Sequence, residues 1–209
     1  GAAKPLSVRR AALLSFVIAA VAGLYLAVLT SLWLVPIGAG AIVAAWCYTG
    51  GPRPYGYSGL GELFVFVFFG LVASVGSTYV QDEEVTALAV GASIPVGLLA
   101  VALLVTNNLR DLPKDALVGK NTLAVRMGDK PTRVMYVLCI VMSLLCLPYL
   151  SLLRPAVLIA LLSVLLAVKP IRLVARGATG QELIAVLGAT GKLQMLFGVL
   201  LSVGLAIGI

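Results

Sequence analysis

The chain has 209 residues, of which 61% are hydrophobic and only 11% charged, with a mean hydropathy of +1.12 and a formal net charge of +7. That balance excludes a soluble globular domain and describes a polytopic membrane protein. Histidine is absent, which removes histidine general bases, Ser-His-Asp triads and the usual haem and zinc ligands. The cations fall in short runs between apolar stretches rather than on one dense face, which excludes a nucleic-acid partner.

In chain order, residues 1–10 are short and basic, with Lys4, Arg9 and Arg10. They show no initiator Met and no signal-peptide pattern, so the expectation is the remainder of a longer protein. Seven apolar spans follow, at about Ala11–Thr30, Leu34–Tyr48, Leu63–Val80, Val85–Val105, Val134–Leu153, Pro155–Val168 and Leu193–Ile209. A span of about 20 residues crosses a hydrocarbon core of about 30 Å. Between them lie a Gly-, Pro- and Tyr-rich segment, 48–62, and an acidic turn at Gln81–Glu84. The long polar passage 106–133 and a second polar segment, 169–192, follow. The last contains an amphipathic stretch, Gln181–Leu187.

Crossing once per span places fourteen basic residues on one side and only Arg154 on the other. This asymmetry puts residues 1–10, 48–62, 106–133 and 169–192 on the cytoplasmic side of a multi-pass cell-membrane protein, and the acidic turn outside. Cys139 and Cys146 are seven residues apart on one span, about 10 Å, too far for a disulfide. With Cys47 they read as small core residues.

The passage TNNLRDLPKDALVGKNTLAVRMGDKPTR, 106–133, carries most of the chemistry. Two readings fit its charges: a solvated loop whose cations orient the protein, or a metal site. In the second, Asp111 and Asp115, spaced i and i+4, project from one face of a helical turn and share a divalent cation. Pro113 between them predicts a helix N-terminus, with Asn107 and Asn108 as caps or oxygen donors. A carboxylate pair ringed by Arg and Lys suits a magnesium-bound diphosphate. In 48–62, Tyr48, Arg53, Tyr55 and Tyr57 are either an ordinary interfacial Gly/Pro turn or a substrate-facing cluster.

NNLRDLPKDALVGKNTLAVRMG closely resembles the second aspartate-rich motif of the UbiA-type intramembrane prenyltransferases. YTGGPRPYGYSGLGE, with FVFFG after it and GAAKPLSV at the start, is similar to the branch that prenylates 1,4-dihydroxy-2-naphthoate. The resemblance implies an all-α integral membrane protein, with seven transmembrane helices here of a nine-helix bundle around a central cavity. The whole of 1–209 is then one prenyltransferase domain, N-terminally incomplete. It also implies Mg²⁺-dependent transfer of a polyprenyl chain from polyprenyl diphosphate to 1,4-dihydroxy-2-naphthoate, with decarboxylation, giving demethylmenaquinone in menaquinone biosynthesis. By position, Asp111 and Asp115 match the metal-binding motif; Asn107, Asn108, Arg110, Lys120 and Arg126 match its polar surround. Tyr48 and Arg53 match the diphosphate-facing residues of the preceding segment. Lys120, Arg126 and Arg53 are expected on the diphosphate, and Lys114 and Lys130 in solvent or lipid headgroups.

The family's first aspartate motif, of N-D-x-x-D type, does not occur, so two N-terminal helices and half the metal site are expected to lie outside this sequence. A sibling enzyme for 4-hydroxybenzoate, homogentisate or a porphyrin is the nearest alternative. A small membrane transporter is the alternative from another class, disfavoured because the spans lack interior ionisable residues.

Overall fold

The computed structural model describes residues 4–52 and 54–207, and every regular element among them is helical. The chain divides into two compact units, 1–52 and 53–209. In the first, α1 (Pro5–Leu29) begins with proline at its first position, where no N–H is needed. It packs against α2 (Leu34–Thr49), with Phe16 and Trp46 in ring contact and Ala27 and Ala44 buried.

The second unit contains α3 (Gly61–Asp82), α4 (Ala87–Leu117), the short α5 (Leu123–Met127), α6 (Asp129–Ser151), α7 (Pro155–Ala175) and α8 (Gly180–Ile207). Six helices, α1, α3, α4, α6, α7 and α8, are long and apolar enough to cross a membrane. The second of the seven expected spans is α2, whose 16 residues reach about 24 Å, less than a full hydrocarbon core.

Three expected segments differ from the structure. Passage 106–133 is largely helical: α4 runs through Pro113 to Leu117, and α6 begins at Asp129. The polar segment 169–192 is likewise mostly helix, shared between the ends of α7 and α8, and 181–187 forms the first turns of α8. Hydropathy marks where a helix leaves the apolar layer, not where its hydrogen-bond ladder stops. The span from Pro155 continues to Ala175, and its first nine residues, Pro155–Ser163, are a 3₁₀ stretch. At about 2.0 Å per residue there and 1.5 Å afterwards, α7 reaches about 36 Å, enough to cross.

Helix α4 lies at the centre of this unit, in contact with α3, α6 and α8. Leu99, Val105 and Leu109 meet Tyr136, Ile140 and Leu147 of α6 and Leu193 and Phe197 of α8 in one continuous core. Large apolar side chains also cover the outside, among them Leu165 (74% exposed) and Met195 (70%). Such a surface is solvated by lipid, and the helical ladder satisfies the backbone without water. Polar residues inside bond to their own helices: Ser93, Thr106, Ser143, Ser163 and Thr190 each donate to a backbone carbonyl three or four residues earlier.

One crossing decides where the functional residues meet. Between Phe66 and Val72, α3 widens into a π-helical stretch, and there its backbone touches α4. A Cβ built on Gly70 would stand 2.7 Å from the Gly97 Cα, and one on Gly97 would stand 2.9 Å from the Phe66 ring. Two glycines let the helices approach more closely than any pair with side chains. That approach brings the start of α3 to the end of α4.

Candidate functional site

The last three turns of α4 hold Asn107, Asn108, Arg110, Asp111 and Asp115, with Pro113 inside the helix. The expected helix N-terminus is therefore a C-terminus, and neither asparagine is a cap. Proline disfavours the helical interior because it donates no bond and crowds the preceding turn. On either side of Pro113 polar side chains pair with one another. Upstream, Arg110 grips Asp111 with a two-pronged contact, Nε to Oδ1 at 2.8 Å and Nη2 to Oδ2 at 2.7 Å. Nη2 also donates to Asn107 Oδ1 at 2.8 Å.

Downstream, Gly119 adopts φ +71°, a left-handed conformation that favours glycine, and turns the chain back. The Lys120 N–H then reaches the Asp115 carbonyl at 2.9 Å, closing the helix in the Schellman manner. The same turn carries Lys120 Nζ to Asp115 Oδ2, 3.0 Å away. Asp115 is buried, whereas Asp111 is half-buried. Lys120 and the exposed Lys114 add to the positive field around Asp111.

Residues 54–62 lie against this helix end. Tyr55–Tyr57 forms one 3₁₀ turn, with Tyr55 stacked on Phe64, ring centroids 3.9 Å apart. Lys120 Nζ lies 5.4 Å from the Tyr57 ring centroid, a cation–π distance. Gly59 has φ +72°, and a Cβ there would come within 3.0 Å of the Arg126 side chain, so only glycine suits that bend. Arg126 also donates Nε to the Asn121 carbonyl at 3.3 Å. Its helix, α5, is capped by Thr122, whose hydroxyl accepts from the Val125 N–H at 3.4 Å. Below this layer Asn108 Nδ2 donates to Glu62 Oε1 at 2.9 Å, both residues buried.

The structure thus joins Asn107, Asn108, Arg110, Asp111, Asp115, Lys120 and Arg126 with the segment after residue 53. Tyr48 stands in the last turn of α2, in the first unit, and Arg53 lies outside the described residues. Glu62 escaped the sequence reading because it borders an apolar span like a boundary charge. Its signal was a lone carboxylate on the apolar side of the glycine-rich bend.

No group of three or more His, Cys, Asp or Glu side chains among the described residues could hold a metal ion. The donors present, the Asp111 and Asp115 carboxylates and the Asn107 side-chain oxygen, are all hard oxygens. Magnesium is commonly held by one or two carboxylates, its other positions filled by water and substrate phosphate. Hard oxygens of this kind suit a hard divalent cation whose shell is completed by ligands other than protein, not one caged by protein alone; here they are paired with Arg110 and Lys120.

Comparison with known proteins places these residues in a family. The chain is 42% identical over 206 residues to the 1,4-dihydroxy-2-naphthoate octaprenyltransferase of Mycobacterium tuberculosis, covering 99% of this chain and 70% of that protein. It is 40% identical to proteins of the same name from Mycobacterium leprae, over 93% of this chain and 66% of the relative, and from Haemophilus influenzae, over 82% and 57%. The chain thus spans between 57% and 70% of the length of these relatives. Residues 2–196 match the UbiA prenyltransferase family across both compact units. With its apolar helices and its charged α4 end, this multi-pass membrane chain belongs to the UbiA prenyltransferase family.

Proposed function

We propose that the protein transfers a polyprenyl chain from its diphosphate to 1,4-dihydroxy-2-naphthoate with loss of the carboxylate, a step towards menaquinone, and that the α4 end faces the cytoplasm. The observation that carries this reading is the distribution of charge along α4. Residues 87–109 bear no charged side chain, and then Arg110, Asp111, Lys114 and Asp115 follow within two turns. An amphiphile with an apolar tail and a diphosphate head matches such a helix end to end. The names of the similar proteins support the choice of acceptor.

Asp111 and Asp115 would hold Mg²⁺, which when bound neutralises the diphosphate as it departs. The chain's own residues supply the rest. Arg110 and Lys120 bring positive charge to the place where the leaving group gains negative charge. Their present partners are carboxylates, so both cations are already held at the site before substrate arrives. Tyr57 and the Gly59 bend lie against Lys120 and Arg126 and help hold these cations in place. As the C1–O bond to diphosphate breaks, allylic cation character develops at C1. The electron-rich ring forms the new C–C bond there, and the ring carboxylate leaves as CO₂ with its bonding electrons retained by the ring.

The test is a transfer assay in membranes with polyprenyl diphosphate and a panel of dihydroxynaphthoate, 4-hydroxybenzoate and homogentisate, with Mg²⁺ and after chelation. Transfer to dihydroxynaphthoate that stops on chelation is the expected result. Preference for another acceptor, or turnover indifferent to chelation, would overturn the corresponding part.

A further inference from the structure

Glu62 sits in the first turn of α3 and is only 6% exposed. One oxygen, Oε1, accepts from Asn108 Nδ2 at 2.9 Å. The other, Oε2, is buried without a hydrogen-bond partner, the one such side-chain atom among the described residues. Leaving a buried acceptor unmade costs about 1–3 kcal/mol, and more for a charged group. The buried hydroxyls of Ser93, Thr106 and Ser143 avoid that cost by bonding to their own helix. The Asn108 contact needs only one oxygen, and a glutamine would supply it, so the second oxygen has no structural task.

Its place suggests the task. Asn108, Asp111 and Asp115 follow the i, i+3, i+7 spacing of one helix face. Asn108 precedes Asp111 by three residues, about 4.5 Å further towards the apolar part of α4. With a diphosphate at Asp111 and Asp115, the prenyl carbon that reacts lies on that apolar side. The aromatic ring must approach it there, and the acceptor is the only partner in the reaction that carries hydroxyl donors.

Building on the function proposed above, we infer that Glu62 Oε2 accepts a hydrogen bond from one phenolic hydroxyl of the aromatic acceptor. The bond fixes the ring over the prenyl carbon, and a carboxylate on the hydroxyl raises electron density in the ring. Like charge keeps the acceptor's own carboxylate away from Glu62, so the ring has one orientation. Because the site then offers an acceptor to a donor, it rejects analogues that lack that hydroxyl.

The experiment uses the intact membrane protein with dihydroxynaphthoate and its two mono-O-methyl ethers. In the wild type one ether is expected to lose about 100-fold or more in kcat/KM, and the other much less. Glu62→Gln retains the Asn108 contact but presents a donor to a donor. It should raise the acceptor KM by about tenfold or more, leave the KM for polyprenyl diphosphate within about twofold, and level the ratio between parent and disfavoured ether. Equal use of the parent and both ethers by the wild type overturns the inference, as does a Glu62→Gln enzyme that keeps the wild-type ratio. Should that variant fail to accumulate, the wild-type ether ratio alone decides. A wild type that prenylates another acceptor but not dihydroxynaphthoate refutes the functional reading and this inference with it, a result distinct from loss of ether discrimination alone.

Discussion

Gly70→Ala tests the helix crossing on which the site depends. The added methyl would stand 2.7 Å from the Gly97 Cα and 3.3 Å from both the Gly97 nitrogen and the Ser93 carbonyl oxygen. Carbon atoms prefer about 3.5–4.0 Å, so α3 and α4 must part by about 1 Å. All three obstacles are backbone, and no side chain can rotate out of the way. Overpacking of this kind costs about 1–3 kcal/mol, set against about 0.5–1 kcal/mol gained by replacing glycine in a helix. Gly76→Ala in the same helix is the matched control, because its new methyl meets nothing within 4 Å. The difference between the two variants isolates the collision, about 1–3 kcal/mol in favour of Gly76→Ala. Thermal unfolding in detergent, read by the loss of monodisperse protein, measures it. The 2.9 Å bond between Glu62 and Asn108 bridges the same two helices, and a 1 Å parting carries it beyond the ordinary hydrogen-bond range. Gly70→Ala should therefore also lose activity at temperatures where it remains folded. A variant as heat-stable as Gly76→Ala would refute the reasoning.

Four further outcomes are expected. Asp111→Asn and Asp115→Asn should each lower prenyl transfer by about 100- to 1000-fold, the scale of removing one transition-state electrostatic contact, while membrane insertion is unchanged; near-normal rates at limiting Mg²⁺ would contradict the metal role. Lys120→Ala should cost less, about tenfold, since Arg110 and Arg126 remain, with the loss seen mainly in kcat. Arg133 bonds Asp129 at 2.7 Å and the Val174 carbonyl at 2.9 Å, tying α6 to the end of α7, so Arg133→Ala should lower stability by about 1–3 kcal/mol in a detergent melt yet leave the KM values unchanged. Cysteines at Ser58 and Lys130 should react with an impermeant thiol reagent only from the cytoplasmic side, and one at Glu84 only from outside; labelling of the Lys130 position in intact cells would reverse the orientation.

Composition and hydropathy alone determined the membrane class and the helical character of the spans, and the charge pattern singled out 106–133 as the polar passage to examine. These are local or additive properties: a run of apolar residues selects a helix in lipid wherever it packs, and a motif keeps its residue types. The sequence could not decide where the helices end. Pro113 argued for a new helix start, yet α4 continues past it to Leu117 and closes at the Gly119 turn. Nor could it reveal that Asn108 bonds to a carboxylate 46 positions away, or that Lys120 lies over Tyr57. Those pairings depend on how closely α3 approaches α4, which is set by the Gly70–Gly97 contact. In one dimension each of these glycines is merely a weak point in its helix. Only when both helices are in place does the absence of two side chains become the distance that assembles the site.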